Sequence, residues 1–116
     1  MAPDSKKYHV GVRVWINEDE GHFLGVGRVR LLEHIRDTGS ITRGAAAMKM
    51  SYRQAWQMVE DMNKRSERPL VEKILGGKGG GGAKLTESGA NAIALFYKME
   101  QHIAHFAKEL EKEIRF

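Results

Sequence analysis

The sequence predicts an α+β fold, mainly α-helical: a winged helix-turn-helix with an N-terminal β-hairpin and a long C-terminal dimerisation helix. The order of segments carries this prediction. A short helix-forming stretch at 41–48 is followed by a tight break at 49–50 and by a second helix from Ser51. An apolar strand-like run at 70–75 and a glycine-rich loop at 76–82 come next. Helix, turn, recognition helix and wing follow one another in this order in winged helix-turn-helix domains.

A chain of 116 residues predicts one domain with a modest core. We predict a disordered segment at 1–9 and a winged-helix DNA-binding domain at 10–116. Within that domain we place the helix-turn-helix at 40–65, the wing at 70–85 and the dimerisation helix at 86–113.

The N-terminal part shows strand periodicity and then helix periodicity. Apolar residues alternate at Val10, Val12, Val14 and Ile16, which predicts a half-buried strand. A polar turn at 17–21 lets residues 22–24 return as a short partner strand. We predict that this hairpin packs against the helices, and a dimer contact is the alternative. A first helix at 27–38 follows, with Val29, Leu31, Leu32 and Ile35 on its inner side.

The first helix of the motif, at 41–48, contains the alanines Ala45, Ala46 and Ala47. Small side chains permit the close crossing that a helix-turn-helix needs, although helix propensity explains three alanines equally well. Ser40 is a candidate N-cap, and Gly39 can take the left-handed conformation that ends the preceding helix.

The recognition helix has two distinct faces. Ser51 is a good N-cap, and a predicted core stripe recurs at helical spacing: Tyr52, Ala55, Trp56, Val59 and Met62. Arg and Gln on the other face match base edges in the major groove. We therefore predict Arg53, Gln54 and Gln57 near bases, and Lys49, Ser51 and Tyr52 near phosphate. The alternative for this helix alone is an ordinary amphipathic helix with a solvated polar face.

The wing loop is unusually rich in glycine. Six of the seven residues at 76–82 are glycine and the seventh is Lys78, so a bare, positively charged loop could approach a phosphate backbone or a minor groove. The predicted wing contacts are Lys73, Lys78 and Lys84. The loop fails the P-loop pattern, since Gly79 follows Lys78 where Ser or Thr is required. A plain flexible linker is the alternative.

Thr86 is the predicted N-cap of the last helix, which is expected to reach about Glu113. Apolar residues spaced by three and four predict a dimer seam: Phe96, Met99, Ile103, Phe106 and Leu110. A helix that covers only its own core would explain residues 93–99 well, but would explain Ile103, Phe106 and Leu110 less well.

Composition narrows the class of protein. Residues 28–84 hold 12 Lys and Arg against 6 Asp and Glu, a net +6, whereas the whole chain has +4; the basic excess thus lies in the predicted DNA-reading segment. There is no cysteine, no apolar run long enough to span a membrane and no signal peptide, which predicts a soluble cytoplasmic protein.

Catalytic and metal chemistry find no support in the sequence. His102, His105 and Glu109 share a helical face, but their spacing is not a zinc signature. No catalytic arrangement stands out. We predict no enzyme activity, no metal and no cofactor.

Several motifs together resemble the N-terminal DNA-binding domain of the molybdate-responsive transcription regulators, the ModE family, and more distantly LysR-type regulators. They are Thr38-Gly-Ser-Ile41, Met50-Ser-Tyr-Arg-Gln-Ala-Trp56, Met62-Asn63, Gly76-Gly-Lys-Gly-Gly-Gly-Gly-Ala83 and Leu85-Thr86. The resemblance covers residues 24–110. It implies a bacterial, dimeric winged-helix protein that binds double-stranded DNA and regulates transcription.

The resemblance stops short of one property. Full-length members carry a molybdate-binding region after the long helix, and residues 1–116 hold no counterpart of that region, so molybdate sensing is not carried over. A separate effector protein or an unidentified ligand would then supply regulation. The sequence leaves two other classes open: an oxyanion-binding protein that uses the glycine loop, and a protein-interaction dimer without DNA affinity.

Overall fold

Two antiparallel hairpins, three short helices and one long helix make up the described part of the chain. A computed structural model describes residues 6–77 and 80–116. Its elements are β1 (Ile16–Glu18), β2 (Gly21–Leu24), α1 (Val26–Thr38), α2 (Ile41–Ala47), α3 (Tyr52–Arg65), β3 (Val71–Gly77), β4 (Gly80–Leu85) and α4 (Glu87–Glu111). β1 pairs with β2, and β3 pairs with β4. The predicted α+β, mainly α, winged helix-turn-helix fold is confirmed.

Local capping fixes where the helices begin and end. The hydroxyls of Ser40, Ser51 and Thr86 each accept a hydrogen bond from the backbone N–H three residues later, at 3.0–3.1 Å. Gly39 has φ 70°, in the left-handed region, and its N–H donates to the Ile35 carbonyl. These three N-caps and this C-cap are the ones that the sequence predicts.

The core joins the helices to the base of the wing. Val29, Leu31, Leu32 and Ile35 of α1 are all fully buried, as predicted. The other buried apolar residues packed with them are Leu24, Ile41, Ala45, Ala55, Val59, Met62, Leu70, Val71, Ala83, Ile93 and Phe96. All four helices and both wing strands contribute to this core. The core therefore fixes the position of α3 relative to the wing.

The close crossing of α1 and α2 depends on a glycine as well as an alanine. Gly44 and Ala45 are buried, whereas Ala46 and Ala47 are exposed. A Cβ at Gly44 would lie 3.1 Å from Ile35 Cγ1. The expectation that all three alanines serve the crossing is therefore wrong for the last two, which point to solvent.

The predicted N-terminal strand is much shorter than its alternation suggests. Only Ile16–Glu18 forms a ladder, because the returning strand β2 has four residues and no more of the described chain pairs with it. Residues 6–15 run without regular secondary structure. Part of the predicted disordered segment has defined contacts, since the Tyr8 ring packs edge-on against Phe116 at 5.4 Å between centroids.

None of the helices in the described part of the chain combines the length and the apolarity that crossing a membrane requires.

Candidate nucleic-acid interface

The turn between α2 and α3 is a tight backbone structure that exposes a lysine. Lys49 has φ 55°, the left-handed region that a non-glycine residue seldom takes. The Lys49 and Met50 N–H groups donate to the Ala46 and Ala45 carbonyls, at 3.1 and 3.0 Å. The turn therefore directs the exposed Lys49 side chain outward, immediately before the start of α3.

The face of α3 that packs on the core is narrower than predicted. Ala55, Val59 and Met62 are buried, but Tyr52 and Trp56 are 52% and 37% exposed. The prediction that Tyr52 and Trp56 belong to the core is wrong, because they lie on the flank of α3 that faces the wing, where only part of each ring is covered. A Trp56→Ala change would consequently remove less buried area than the loss of a core tryptophan would.

Three polar side chains on the first two turns of α3 are available for contacts. Arg53, Gln54 and Gln57 are all exposed. None of them makes a side-chain hydrogen bond or an ion pair with another residue of 6–77 or 80–116. Their forked donor and donor–acceptor groups are therefore available to a ligand outside the protomer.

The first acidic residue of α3, Glu60, is neutralised by the wing. Lys73 of β3 places Nζ 2.7 Å from Glu60 Oε1 and 4.5 Å from the centroid of the Trp56 ring. Both members of the ion pair stay partly exposed, so the pair contributes little to stability. The pair does affect the interface, because Lys73, predicted as a wing cation, is bound to Glu60 of the recognition helix.

The second acidic residue, Asp61, is neutralised by two arginines. Arg28 Nη1 lies 2.7 Å from Asp61 Oδ2, and Arg65 Nε lies 3.0 Å from the same oxygen. Arg65 also reaches Glu18 at 2.9 Å, and Arg28 donates to the carbonyl of Phe23. Burial acts to raise the pKa of Asp61, but the hydrogen bonds from the two arginines hold that pKa below its ordinary value. This network ties α3 to α1 and to the first hairpin.

Asn63 fixes the wing to the end of the recognition helix. Its Oδ1 accepts from the backbone N–H groups of Leu70 and Val71 at 2.8 and 3.2 Å, and its Nδ2 donates to the Val71 carbonyl at 2.9 Å. Leu70 and Val71 are buried, so water cannot replace these bonds at low cost. The side chain therefore sets the angle at which β3 leaves α3.

The other strand of the wing is anchored on the turn between α1 and α2. The Ala83 N–H donates to the Gly39 carbonyl at 2.9 Å, and a Cβ at Gly82 would lie 2.7 Å from the same oxygen. A cleft of about 300 Å³ opens beside this contact. It lies between the wing and the starts of α2 and α3, and Ser40, Thr42, Tyr52, Lys73 and Gly76 are among the residues that line it.

The predicted wing lysines have different positions. Lys84 is exposed on β4, opposite Glu72 in the strand register, without an ion pair to a described residue. Lys73 is held by Glu60. Lys78 lies outside the described residues.

Only part of the predicted seam on α4 lies on the surface. Phe96 is fully buried in the protomer's own core, and Met99 is half-buried. The prediction that Phe96 belongs to the dimer seam is therefore wrong. Phe96 is a core residue, because its ring has no exposed surface that a partner could contact. Ile103, Phe106 and Leu110 are exposed and spaced by three and four along one face.

Sequence reasoning missed the residues that hold the interface in place: Glu18, Arg28 and Asn63. The spacing of Asp61 and Arg65 by four could have indicated one ion pair on α3. Glu18 and Arg28 come from elsewhere in the chain, and no local pattern indicates that they meet Asp61 and Arg65. Asn63 belongs to a motif of the resemblance, but its role as a wing anchor is visible only in the fold.

Comparison with known proteins gives a consistent set of relatives. Residues 26–90 match the family described as "Bacterial regulatory helix-turn-helix protein, lysR family". The chain is 51% identical over 74 residues to Transcriptional regulator ModE of Yersinia pestis, covering 64% of this chain and 28% of that protein. It is 47% identical over 79 residues to DNA-binding transcriptional dual regulator ModE of Escherichia coli (strain K12), covering 68% and 30%. It is 39% identical over 88 residues to Molybdenum transport protein ModE of Azotobacter vinelandii, covering 76% and 33%.

The similarity is confined to one region of these relatives. The chain spans about a third of the length of the curated relatives that it matches. The family match at residues 26–90 covers α1, the helix-turn-helix, the wing and the beginning of the long helix.

Proposed function

The chain belongs to the bacterial regulatory helix-turn-helix proteins of the lysR family, and from this we propose that it binds duplex DNA as a homodimeric transcription regulator. In this proposal α3 enters the major groove, with Arg53, Gln54 and Gln57 near base edges. Recognition helices of this motif read bases through residues of their first turns. Arg and Gln can make the bidentate contacts that distinguish guanine and adenine.

One observation carries the proposal: the acidic and the basic side chains of α3 differ in whether they are paired within the protomer. Both acids in its second half are paired within the protomer, Glu60 with Lys73 and Asp61 with Arg28 and Arg65. Arg53, in its first half, has no such partner among the described residues. On an ordinary solvated helix face, pairing the acidic side chains while the arginine stays unpaired brings no advantage. A face turned toward phosphates gains from that arrangement.

Phosphate contacts are proposed around the ends of the motif. Lys49, Ser51 and Tyr52 flank the start of α3, where positive backbone dipoles favour anions. Lys84 lies on the wing, and Lys78 is proposed to act there too. The cleft lined by Thr42, Tyr52 and Lys73 has hydroxyl donors that suit a phosphate of the backbone running between α3 and the wing, whereas the Lys73 ammonium is held by Glu60.

The dimer of this proposal uses the exposed part of the α4 seam. Ile103, Phe106 and Leu110 would pack on the same residues of a second copy, burying apolar side chains that the protomer leaves in water. Two recognition helices related by a two-fold axis would read an inverted repeat, with half-sites roughly 34–36 Å apart.

The decisive test of direct readout compares two cationic side chains. Arg53→Ala is expected to cost about 1–3 kcal/mol on a preferred duplex and to relax the preference at one base position. Lys84→Ala is expected to weaken binding to all duplexes alike and to reduce the slope of log K against log salt concentration by about one unit. Fluorescence anisotropy with a selected duplex and with random duplex, across salt concentrations, measures both.

Two results would contradict the proposal. If Arg53→Ala binds every duplex as the parent protein does, α3 does not read bases through this residue. If the parent protein itself shows no salt-dependent duplex binding, the chain is a protein-interaction dimer or an oxyanion-binding protein instead. Titration calorimetry with molybdate in the absence of DNA then distinguishes these two classes.

The Glu60–Lys73 pair gives a prediction of opposite sign. Glu60→Gln removes a negative charge from the DNA-facing flank of α3 and releases Lys73 Nζ. We therefore expect tighter binding to all duplexes, with the salt slope steeper by about one unit. Glu67→Gln makes the same change of charge at an exposed position just beyond α3 and is the matched control. Unchanged affinity of Glu60→Gln relative to Glu67→Gln would show that Lys73 does not contact phosphate.

A further inference from the structure

The segment at 10–14 has the sequence of a strand, but no strand within 6–77 or 80–116 pairs with it. Val10, Val12 and Val14 alternate with Gly11 and Arg13, a pattern typical of a half-buried strand. No backbone hydrogen bond joins residues 11–14 to any residue of 6–77 or 80–116. Val10 and Val12 are 41% and 44% exposed. A row of free N–H and C=O groups beside β-branched side chains is a template for pairing with another strand.

This segment lies along α4, beside the proposed dimer seam. The Val10 N–H is held by the Glu111 carboxylate, and Val12 and Val14 line a small cleft with Gln101 and Ala104. With 3.6 residues per turn, the face of α4 that carries Ala104 and Glu111 is roughly a third of a turn from the face that carries Ile103, Phe106 and Leu110. The free edge and the apolar seam are therefore neighbouring parts of one surface.

We infer that segments 10–14 of two copies pair as antiparallel strands across the two-fold axis of the dimer, centred on Val12. The inference rests on the homodimer of the proposed function and adds a second, backbone-mediated contact to it. The position of this segment along α4 agrees with the position of the seam. Val10 lies beside Glu111, and Val12 and Val14 line the cleft with Gln101 and Ala104. The segment therefore runs along the same length of α4 as the seam from Met99 to Leu110, so one axis can pass through both contacts.

Charge and shape select this register over its neighbours. Centring on Val12 places Val10 opposite the partner's Val14, Val12 opposite the partner's Val12, and Arg13 opposite the partner's Gly11. Centring on Arg13 would set two arginines directly opposite each other, which is unfavourable. Centring on Gly11 would lose the Val14 pairs. A second copy therefore supplies a strand whose pattern and charge complement this edge.

Single cysteines test the register directly, since the chain has none of its own. Directly opposite residues in an antiparallel pair have Cα atoms about 4.5–5.5 Å apart, within the range of a disulfide. Val12→Cys is therefore expected to form a covalent dimer under mild oxidation. Val10→Cys is the matched control, equally exposed in the same segment. Two copies of residue 10 would be about 13 Å apart in this register, so it should stay uncross-linked alone and cross-link when mixed with Val14→Cys.

Sedimentation of the reduced variants separates this inference from the proposed dimer. A non-covalent dimer with efficient cross-linking at Val12, and none at Val10 alone, supports strand pairing. A dimer in which Val12→Cys fails to cross-link, or in which Val10→Cys cross-links as well, overturns strand pairing but leaves the α4 dimer standing. A monomer without cross-linking overturns both. Cross-linking at Val12 in a protein that binds no DNA overturns the DNA-binding function alone.

Discussion

Replacing Phe96 with alanine is expected to lower the free energy of unfolding by about 3–5 kcal/mol, the usual range for deleting a fully buried aromatic ring. The ring is 0% exposed and packs against Tyr97 edge-on, with centroids 6.1 Å apart. Denaturant unfolding followed by circular dichroism measures the change. The loss should be the same at every protein concentration at which the dimer is saturated, because the cavity lies within the protomer.

Phe106→Ala is the matched control, since it removes the same side chain from the same helix at a position that is 67% exposed. If this ring belongs to the dimer seam, its loss should weaken association and make the unfolding midpoint depend more strongly on protein concentration. Sedimentation equilibrium gives the dimer dissociation constant directly. An effect of Phe106→Ala on stability as large as that of Phe96→Ala, without a change in dissociation constant, would contradict the division of α4 into a core half and a seam half.

That division shows where sequence reasoning reaches its limit. Spacing by three and four correctly indicates that Phe96, Ile103 and Phe106 share one side of a helix. It cannot say where along the helix the protomer's own core ends and solvent begins, because this depends on how far the other elements extend beneath α4. The recognition helix shows the same limit, since Tyr52 and Trp56 keep the period of the core stripe but face the wing.

What the sequence predicts best is determined by neighbours within a few residues. The caps Ser40, Ser51 and Thr86 and the left-handed Gly39 are predictable because each acts on a backbone group at most four residues away. The strand predicted from Val10 is wrong within the protomer for the opposite reason. Alternation reveals a surface suited to pairing but does not locate the partner.

The candidate site also has some features that the sequence predicts and others that it does not. That α3 exposes Arg53, Gln54 and Gln57 follows from its periodicity. The pairing of Glu60 with Lys73 brings together residues 13 positions apart, and that of Asp61 with Arg28 residues 33 apart. Such pairs depend on the packing of α3 against the wing and α1, which only the folded chain specifies.

The last prediction concerns two glycines in the first turns of helices, where alanine has opposite effects. At Gly27 of α1, nothing lies within 4 Å of the position that a methyl group would take. Gly27→Ala should therefore stabilise the fold by about 0.4–1 kcal/mol, through helix propensity and the lower chain entropy of the unfolded state.

At Gly89 of α4 a Cβ would lie only 2.3 Å from the Leu70 carbonyl oxygen and 2.5 Å from Leu85 Cδ1. That oxygen accepts a hydrogen bond from the Thr86 N–H at 2.9 Å. It cannot retreat without straining this bond. The same gain in propensity should therefore be outweighed, and Gly89→Ala should destabilise by about 3 kcal/mol, the upper end for overpacking. Thermal and denaturant unfolding of the two variants give the signs; a stable Gly89→Ala protein would mean that α4 does not pack this closely on the base of the wing.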